Sequence, residues 1–208
     1  MINTIILDIG NVLARFDYRA YLKDKGFSGD MLERLCRATI ENGLWREIDR
    51  SASETMDESL VAKFMAFDPE IAGAIRDFMF STYEIAKEYG YAPGFVKSLK
   101  RNGYKVYLLS NYGKANFKYA KDNFDFFNYV DGGVISYETG FVKPEAGIYK
   151  AIIHKYDIKP QEAVFLDDVE ANVLAASALG FHTIHFKNLD QAIEELKHLG
   201  VKIDYKQV

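Results

Sequence analysis

A single cysteine, Cys36, is the chain's whole supply, so no internal disulfide can form. A reducing compartment, the cytoplasm, is the expected home. Cys36 falls in a helical pattern and reads as a packed residue rather than a nucleophile. No apolar run is long enough to cross a bilayer, and no basic segment followed by an apolar one opens the chain. Neither a membrane span nor a signal peptide is therefore expected. Positive charge is also scarce: 26 Lys and Arg stand against 30 Asp and Glu, a formal net charge of −4. With no basic run to offset it, that balance argues against a general nucleic-acid binder. Internal repeats and low-complexity linkers are absent, and nothing marks an oligomeric state. What the chain does have is apolar mass. At 208 residues and 49% hydrophobic content it can build one large core, or a core with a smaller insert.

Four segments share one grammar. Thr4-Ile5-Ile6-Leu7 is a buried-strand pattern ending in Asp8, with Gly10 two positions on. Tyr104 to Leu109 ends at Ser110-Asn111, Glu162 to Leu166 ends at Asp167-Asp168, and Phe181 to Phe186 is a further strand pattern. Helical patterns separate them: about 93 to 102 before Gly103, Glu145 to Tyr156, Val169 to Leu179 before Gly180, and Asp190 to Leu199 before Gly200. Strands alternating with helices predict an α/β fold with a parallel sheet. Residues 15–90 break the rhythm. They show no clear strand and read as helices at Asp30 to Ile40, Ser53 to Phe67 and Pro69 to Lys87, with many aromatics that suit a small core of their own. The sequence thus divides into a core from 1–14 and 91–208 and an all-helical insert from 15–90.

Asp8, Ser110-Asn111, Lys143 and Asp167-Asp168 are all expected at the carboxyl edge of the sheet, where open α/β folds bind ligands. Singly, each has a plain explanation: a helix cap, a turn, a solvated lysine. Together they suit one chemistry. Three carboxylates brought close repel one another unless a cation joins them, and hard oxygen donors suit Mg²⁺. Lysine and serine beside that cation draw a phosphate. An ionised Asp in line with phosphorus can attack it and form an aspartyl-phosphate.

These segments resemble the haloacid dehalogenase superfamily. The Asp8 loop, Leu109-Ser110-Asn111, Gly140-Phe141-Val142-Lys143-Pro144 and Phe165-Leu166-Asp167-Asp168 look like its motifs one to four, in order and across nearly the whole chain. The resemblance implies a Rossmann-like parallel sheet with helices on both faces, an inserted type-one helical cap, and a Mg²⁺-dependent phosphatase of small phosphorylated metabolites. Asp8-Ile9-Gly10-Asn11-Val12 and Gly43-Leu44-Trp45-Arg46 are closest to the bacterial YihX-like subgroup, sugar phosphatases acting on glucose 1-phosphate. By position, it makes Asp8 the nucleophile and a metal ligand, with the Gly10 carbonyl as a second ligand. It gives phosphate binding to Ser110 and the Asn111 backbone, and charge bridging to Lys143. Asp168 becomes the acidic metal ligand, Asp167 either supports it or binds the cation through water, and Asn172 orients a metal-bound water. Trp45, Arg46 and Arg15 are the candidates to face the substrate from the cap side.

Gly10 departs from the family pattern. Most of its phosphatases carry an Asp there, which protonates the leaving alcohol and then activates water. Three outcomes remain open: an unusually good leaving group such as an anomeric hydroxyl, a stand-in group from the cap or substrate, or a slow or inactive protein. The leaving-group account fits the subgroup resemblance. A true dehalogenase and a non-catalytic phosphosugar-binding regulator are the competing readings. The histidines do not form a metal pair: His182 and His185, three apart in a strand pattern, face opposite sides.

Overall fold

The computed structural model describes residues 1–205, so the last three residues assigned to the core lie outside it. In chain order, β1 (Thr4–Leu7) leads to a short strand β2 (Ala14–Phe16) and to helices α1 (Tyr18–Asp24), α2 (Gly29–Ala38), α3 (Trp45–Arg50), α4 (Glu58–Met65) and α5 (Ala72–Met79). There follow β3 (Ala86–Glu88), α6 (Ala92–Arg101), β4 (Lys105–Ser110), α7 (Lys114–Asn123), β5 (Gly132–Ile135), α8 (Ser136–Thr139) and α9 (Ala146–Tyr156). The chain closes on β6 (Ala163–Asp167), α10 (Glu170–Ser177), β7 (His182–His185) and α11 (Leu189–His198).

β1 is buried at every position, as a central parallel strand covered on both faces must be. It pairs in parallel with β4 on one side and β6 on the other, giving the sheet order β5-β4-β1-β6-β7. Side-chain alternation splits the strands between two cores. Ile5, Leu7, Val106, Leu108, Val164 and Leu166 pack on one face with α6 and α11. Ile6, Tyr107, Leu109 and Phe165 pack on the other with α9 and α10. Fully burying each such side chain stabilises by about 1.5–3 kcal/mol. This is the expected parallel sheet with helices on both faces. No helix among the described residues is long and apolar enough to cross a membrane.

The helices between β2 and β3 bury a third cluster of their own, built on Leu22, Leu35, Val61, Phe64, Ile75, Phe78 and Met79. Cys36 sits fully buried there, and burial pushes its thiol up. Of the aromatics expected in that core, Phe64 and Phe78 fill it, whereas Phe67 and Tyr83 are exposed.

Two expectations for this region change. First, it is not free of strand: β2 and β3 pair antiparallel, Arg15 opposite Lys87, and close the base of the insert. Partners about seventy residues apart leave no periodic trace in either segment. Second, the helix expected from Ser53 starts at Glu58. Asp57 caps it, its Oδ1 accepting from the backbone amides of Ser59 and Leu60 at 2.8 and 3.4 Å. The helix expected over Pro69 to Lys87 breaks after Met79, where the Thr82 hydroxyl binds the Met79 carbonyl at 3.1 Å. In the sheet, β5 was hidden by its two glycines. An added Cβ at Gly133 would sit 2.7 Å from the Leu108 carbonyl oxygen, so the strand needs glycine there.

α3 lies directly on the sheet domain. Its Ile48 carbonyl oxygen would be 2.2 Å from a Cβ on Gly113, so the insert and the core touch backbone to backbone. Gly113→Ala should therefore lower stability by about 1–3 kcal/mol through overpacking. Gly43→Ala, with nothing within 4 Å of the added carbon, should stay within about 0.5 kcal/mol of the parent. Denaturant unfolding of both variants checks this, and equal midpoints would remove the steric contact as a constraint.

Candidate active site

Asp8, Ser110-Asn111 and Asp167-Asp168 stand where strands stop, whereas Lys143 lies in the loop between α8 and α9 and Asn172 within α10. β1 hands over to Asp8, β4 ends at Ser110 before Asn111, and β6 ends at Asp167 before Asp168. The sheet order reverses between β1 and β6, and that crevice is where such folds place a ligand.

Lys143 draws the strand ends together. Its Nζ lies 2.8 Å from Asp8 Oδ1 and 2.6 Å from Asp167 Oδ2, with the side chain only 2% exposed. Asp8 Oδ1 also accepts from the Ser110 hydroxyl at 2.6 Å and from the Ile9 amide at 2.7 Å. Oδ2 takes none of these bonds and is the nearest atom, at 4.0 Å, to where a Cβ on Gly10 would stand. Asn111 holds the lysine in place from behind. Its side-chain amide donates to the Lys143 carbonyl at 3.1 Å and accepts from the Lys143 backbone amide at 2.8 Å.

The two acidic neighbours differ. Asp167 is fully buried and satisfied: beyond Lys143 it accepts from the Val169 amide at 2.8 Å and from Asn172 Nδ2 at 2.9 and 3.1 Å. Asp168 lines the cavity and takes one side-chain bond, from Asn11 Nδ2 at 2.9 Å. Asn11 reaches it from a left-handed conformation, φ 52°, and its Oδ1 accepts from the Phe16 amide at 3.0 Å. Asn172, expected to orient a water, spends its amide on Asp167.

Burial is the main cause of the site's electrostatics. It pushes the Asp8 carboxyl up to about 7, helped by the charges of Asp167 and Asp168 and opposed by Lys143. Burial likewise raises Asp168. For Lys143 burial works against the charge, but Asp8 and Asp167 outweigh it and the ammonium is held above its usual value. Asp8, Asp167 and Asp168 each offer an oxygen within 4.8 Å of the others, against one lysine. Such a set of hard donors fits Mg²⁺.

The cavity over these groups measures about 210 Å³ and is closed from the insert by Phe16, Trp45 and Asp49. Trp45 therefore stands where the sequence reading put it. Arg46 and Arg15 do not: both are exposed and neither lines the cavity. Asp49 was missed. It is the i+4 neighbour of Trp45 on α3, hence on the same helix face, whereas Arg46 is one residue on and points elsewhere. Burial among its neighbours pushes the Asp49 carboxyl up to about 7.

A carboxyl whose value is raised on folding stays protonated in the native chain while the unfolded chain ionises. Stability then falls as pH climbs from about 4 to about 7 and levels off above. In a chelator, the protein should lose about 2 kcal/mol or more of unfolding free energy between pH 5 and pH 8. Adding Mg²⁺ should recover part of that loss at pH 8. Denaturant titrations with and without the cation measure both, and a stability that rises over this range would contradict the electrostatics.

The profile of the haloacid dehalogenase-like hydrolases matches residues 2–180. A sesquiterpene phosphatase of Aspergillus oryzae is 25% identical over 200 residues, covering 93% of this chain and 94% of its own length. A drimenol cyclase of Aspergillus calidoustus is 23% identical over 202 residues, of which the chain spans only 37% of the longer protein. Among solved structures, a haloacid dehalogenase family enzyme of Bacteroides thetaiotaomicron is 27% identical, with a TM-score of 0.68 over 97% of this chain and 99% of the other. A further structure of that enzyme is a complex with magnesium and inorganic phosphate, 26% identical at a TM-score of 0.65 over 90% and 95% of the two chains. The sequence match spans the chain from β1 past the end of α10, and the chain belongs to the haloacid dehalogenase-like hydrolase family.

Proposed function

We propose that this hydrolase is a Mg²⁺-dependent phosphatase that removes phosphate from a small phosphorylated metabolite, a sugar phosphate such as glucose 1-phosphate. The observation that carries the reading is the Asp8 carboxylate held by Lys143 and Ser110 at the sheet's reversal point. An attacking group must be fixed before the reaction, and three donors on Oδ1 fix this one while Oδ2 stays open.

Asp8, Asp168 and the Gly10 carbonyl would hold the cation, with Asp167 supporting them through Lys143 and Asn172. Bound there, the cation would neutralise the phosphate and offset the carboxylates around it. Asp8 attacks phosphorus, the bond to the substrate oxygen breaks, and the phosphoryl group stays on Asp8. Ser110, the Asn111 backbone and Lys143 hold its oxygens. A cavity of about 210 Å³ lies below the roughly 300–1,000 Å³ of drug-sized pockets, which favours a compact substrate. Relatives of the same family include a sesquiterpene phosphatase, and another was captured with magnesium and phosphate. Within the sugar phosphates, an anomeric phosphate asks least of a site with glycine at position 10, because its hydroxyl leaves more readily.

Turnover of a sugar-phosphate panel should require Mg²⁺ and should favour 1-phosphates over 6-phosphates. A tenfold preference for a 6-phosphate would defeat the anomeric assignment. Asp8→Asn should abolish phosphate release, at least 10³-fold, while keeping the fold. Activity near that of the parent would take Asp8 out of the nucleophile's role.

A further inference from the structure

A readily leaving sugar relieves only half of the burden that Gly10 creates. Once the phosphoryl group is on Asp8, a water must lose its proton to attack it, whatever the first substrate was. Glycine cannot take that proton. The cavity wall offers few groups that can. Its ionisable residues are Asp8, Asp49, Tyr112, Lys143 and Asp168. Asp8 carries the phosphoryl group, and Lys143 is a cation paired with two carboxylates. Asp168 is bonded to Asn11 and belongs to the cation's donor set. Burial drives the Tyr112 hydroxyl up, away from ionisation at neutral pH. The remaining side chains with polar atoms on the wall are the Ser110 hydroxyl, the Trp45 indole and amides that are not bases.

We infer that Asp49, on the cap helix α3, performs the proton transfers that the residue at position 10 performs elsewhere in the family. The inference rests on the phosphatase reading above. Three features single out this carboxylate. It shares the cavity with Asp8, and no hydrogen bond from a described residue occupies it. Its backbone is anchored to the core: the buried Ser136 hydroxyl donates to the Asp49 carbonyl at 2.6 Å and accepts from the Tyr112 amide at 2.9 Å. The residues after it are anchored too. Arg50 Nε donates to the Gly140 carbonyl at 3.1 Å and its guanidinium pairs with Glu145, while the Lys114 amide donates to the Ser51 carbonyl at 2.9 Å. A group that must meet a reacting atom needs such a fixed mount. A carboxyl held near 7 also matches the value best suited to an acid and base at neutral pH. The charges around it are Lys143, Arg50 and Arg46, which favour ionisation, and Asp8, which opposes it.

The steps balance. In the first, protonated Asp49 gives its proton to the oxygen leaving phosphorus, and the alcohol departs. In the second, the Asp49 carboxylate takes a proton from water as the water oxygen bonds to phosphorus. The bond to Asp8 breaks, phosphate is released, and both residues return to their starting states.

The test is stopped-flow hydrolysis of p-nitrophenyl phosphate with Mg²⁺ by the whole chain. This leaving group needs no protonation. Asp49→Asn should release about one p-nitrophenol per site at the parent's rate, then turn over about 10²–10⁴-fold more slowly. Phosphate should accumulate on Asp8, seen as an acid-stable, hydroxylamine-labile adduct. Steady-state turnover within threefold of the parent would overturn the inference. So would loss of the burst together with turnover, which would mean that Asp49 only shapes the site. If Asp49→Asn does not fold, Asp49→Ser serves the same reading. An absence of Mg²⁺-dependent turnover and phosphoenzyme in the parent chain would instead defeat the phosphatase reading itself.

Discussion

Lys143 holds its ammonium between the carboxylates of two neighbouring strands, 2.8 Å from Asp8 and 2.6 Å from Asp167, almost out of contact with water. Removing one partner from such a buried arrangement typically costs about 3–5 kcal/mol, because the charge left behind has no solvent. The rest of the edge is organised to keep this arrangement intact. Asn111 grips the lysine's backbone, and Asn172 and the Val169 amide fill the remaining acceptor sites of Asp167. Asp8 is thereby aimed by one oxygen and left open at the other. The ammonium also leaves the carboxylates in excess, three against one, a set of hard donors that could hold a further cation.

The insert meets this edge as a roof over Asp8. One buried serine, Ser136, joins the loop after β4 to the backbone of Asp49, so a shift in either is felt by the other. The loop after β4 and helix α3 are thus tied together through one side chain. Phe16 and Trp45 complete the roof with apolar surface, while the floor is polar. Such a division suits a molecule with a charged end and a compact body.

Much of the site was legible because strand ends are local. A run of apolar residues stopping at a carboxylate identifies Asp8 and Asp167-Asp168 without knowledge of the fold, and Ser110 follows the same rule. What escaped reading depended on distant partners. β2 and β3 exist only because they pair with each other, and β5 lies against Leu108 because Gly133 leaves room for it. Arg46 looked suited to phosphate by charge, but helix geometry turns it away from the cavity and presents Asp49 instead. The signal was the spacing from Trp45, not the charge.

Position 10 carries a wider meaning. A Cβ there would meet only Asp8 Oδ2, at 4.0 Å, and the residue has no left-handed backbone angle that demands glycine. Stereochemistry therefore does not keep aspartate out. A glycine codon ending in a pyrimidine becomes an aspartate codon by a single base change. With Asp49 inferred as the proton carrier on the roof, that arrangement and one with aspartate at position 10 lie a single base change apart on the same scaffold.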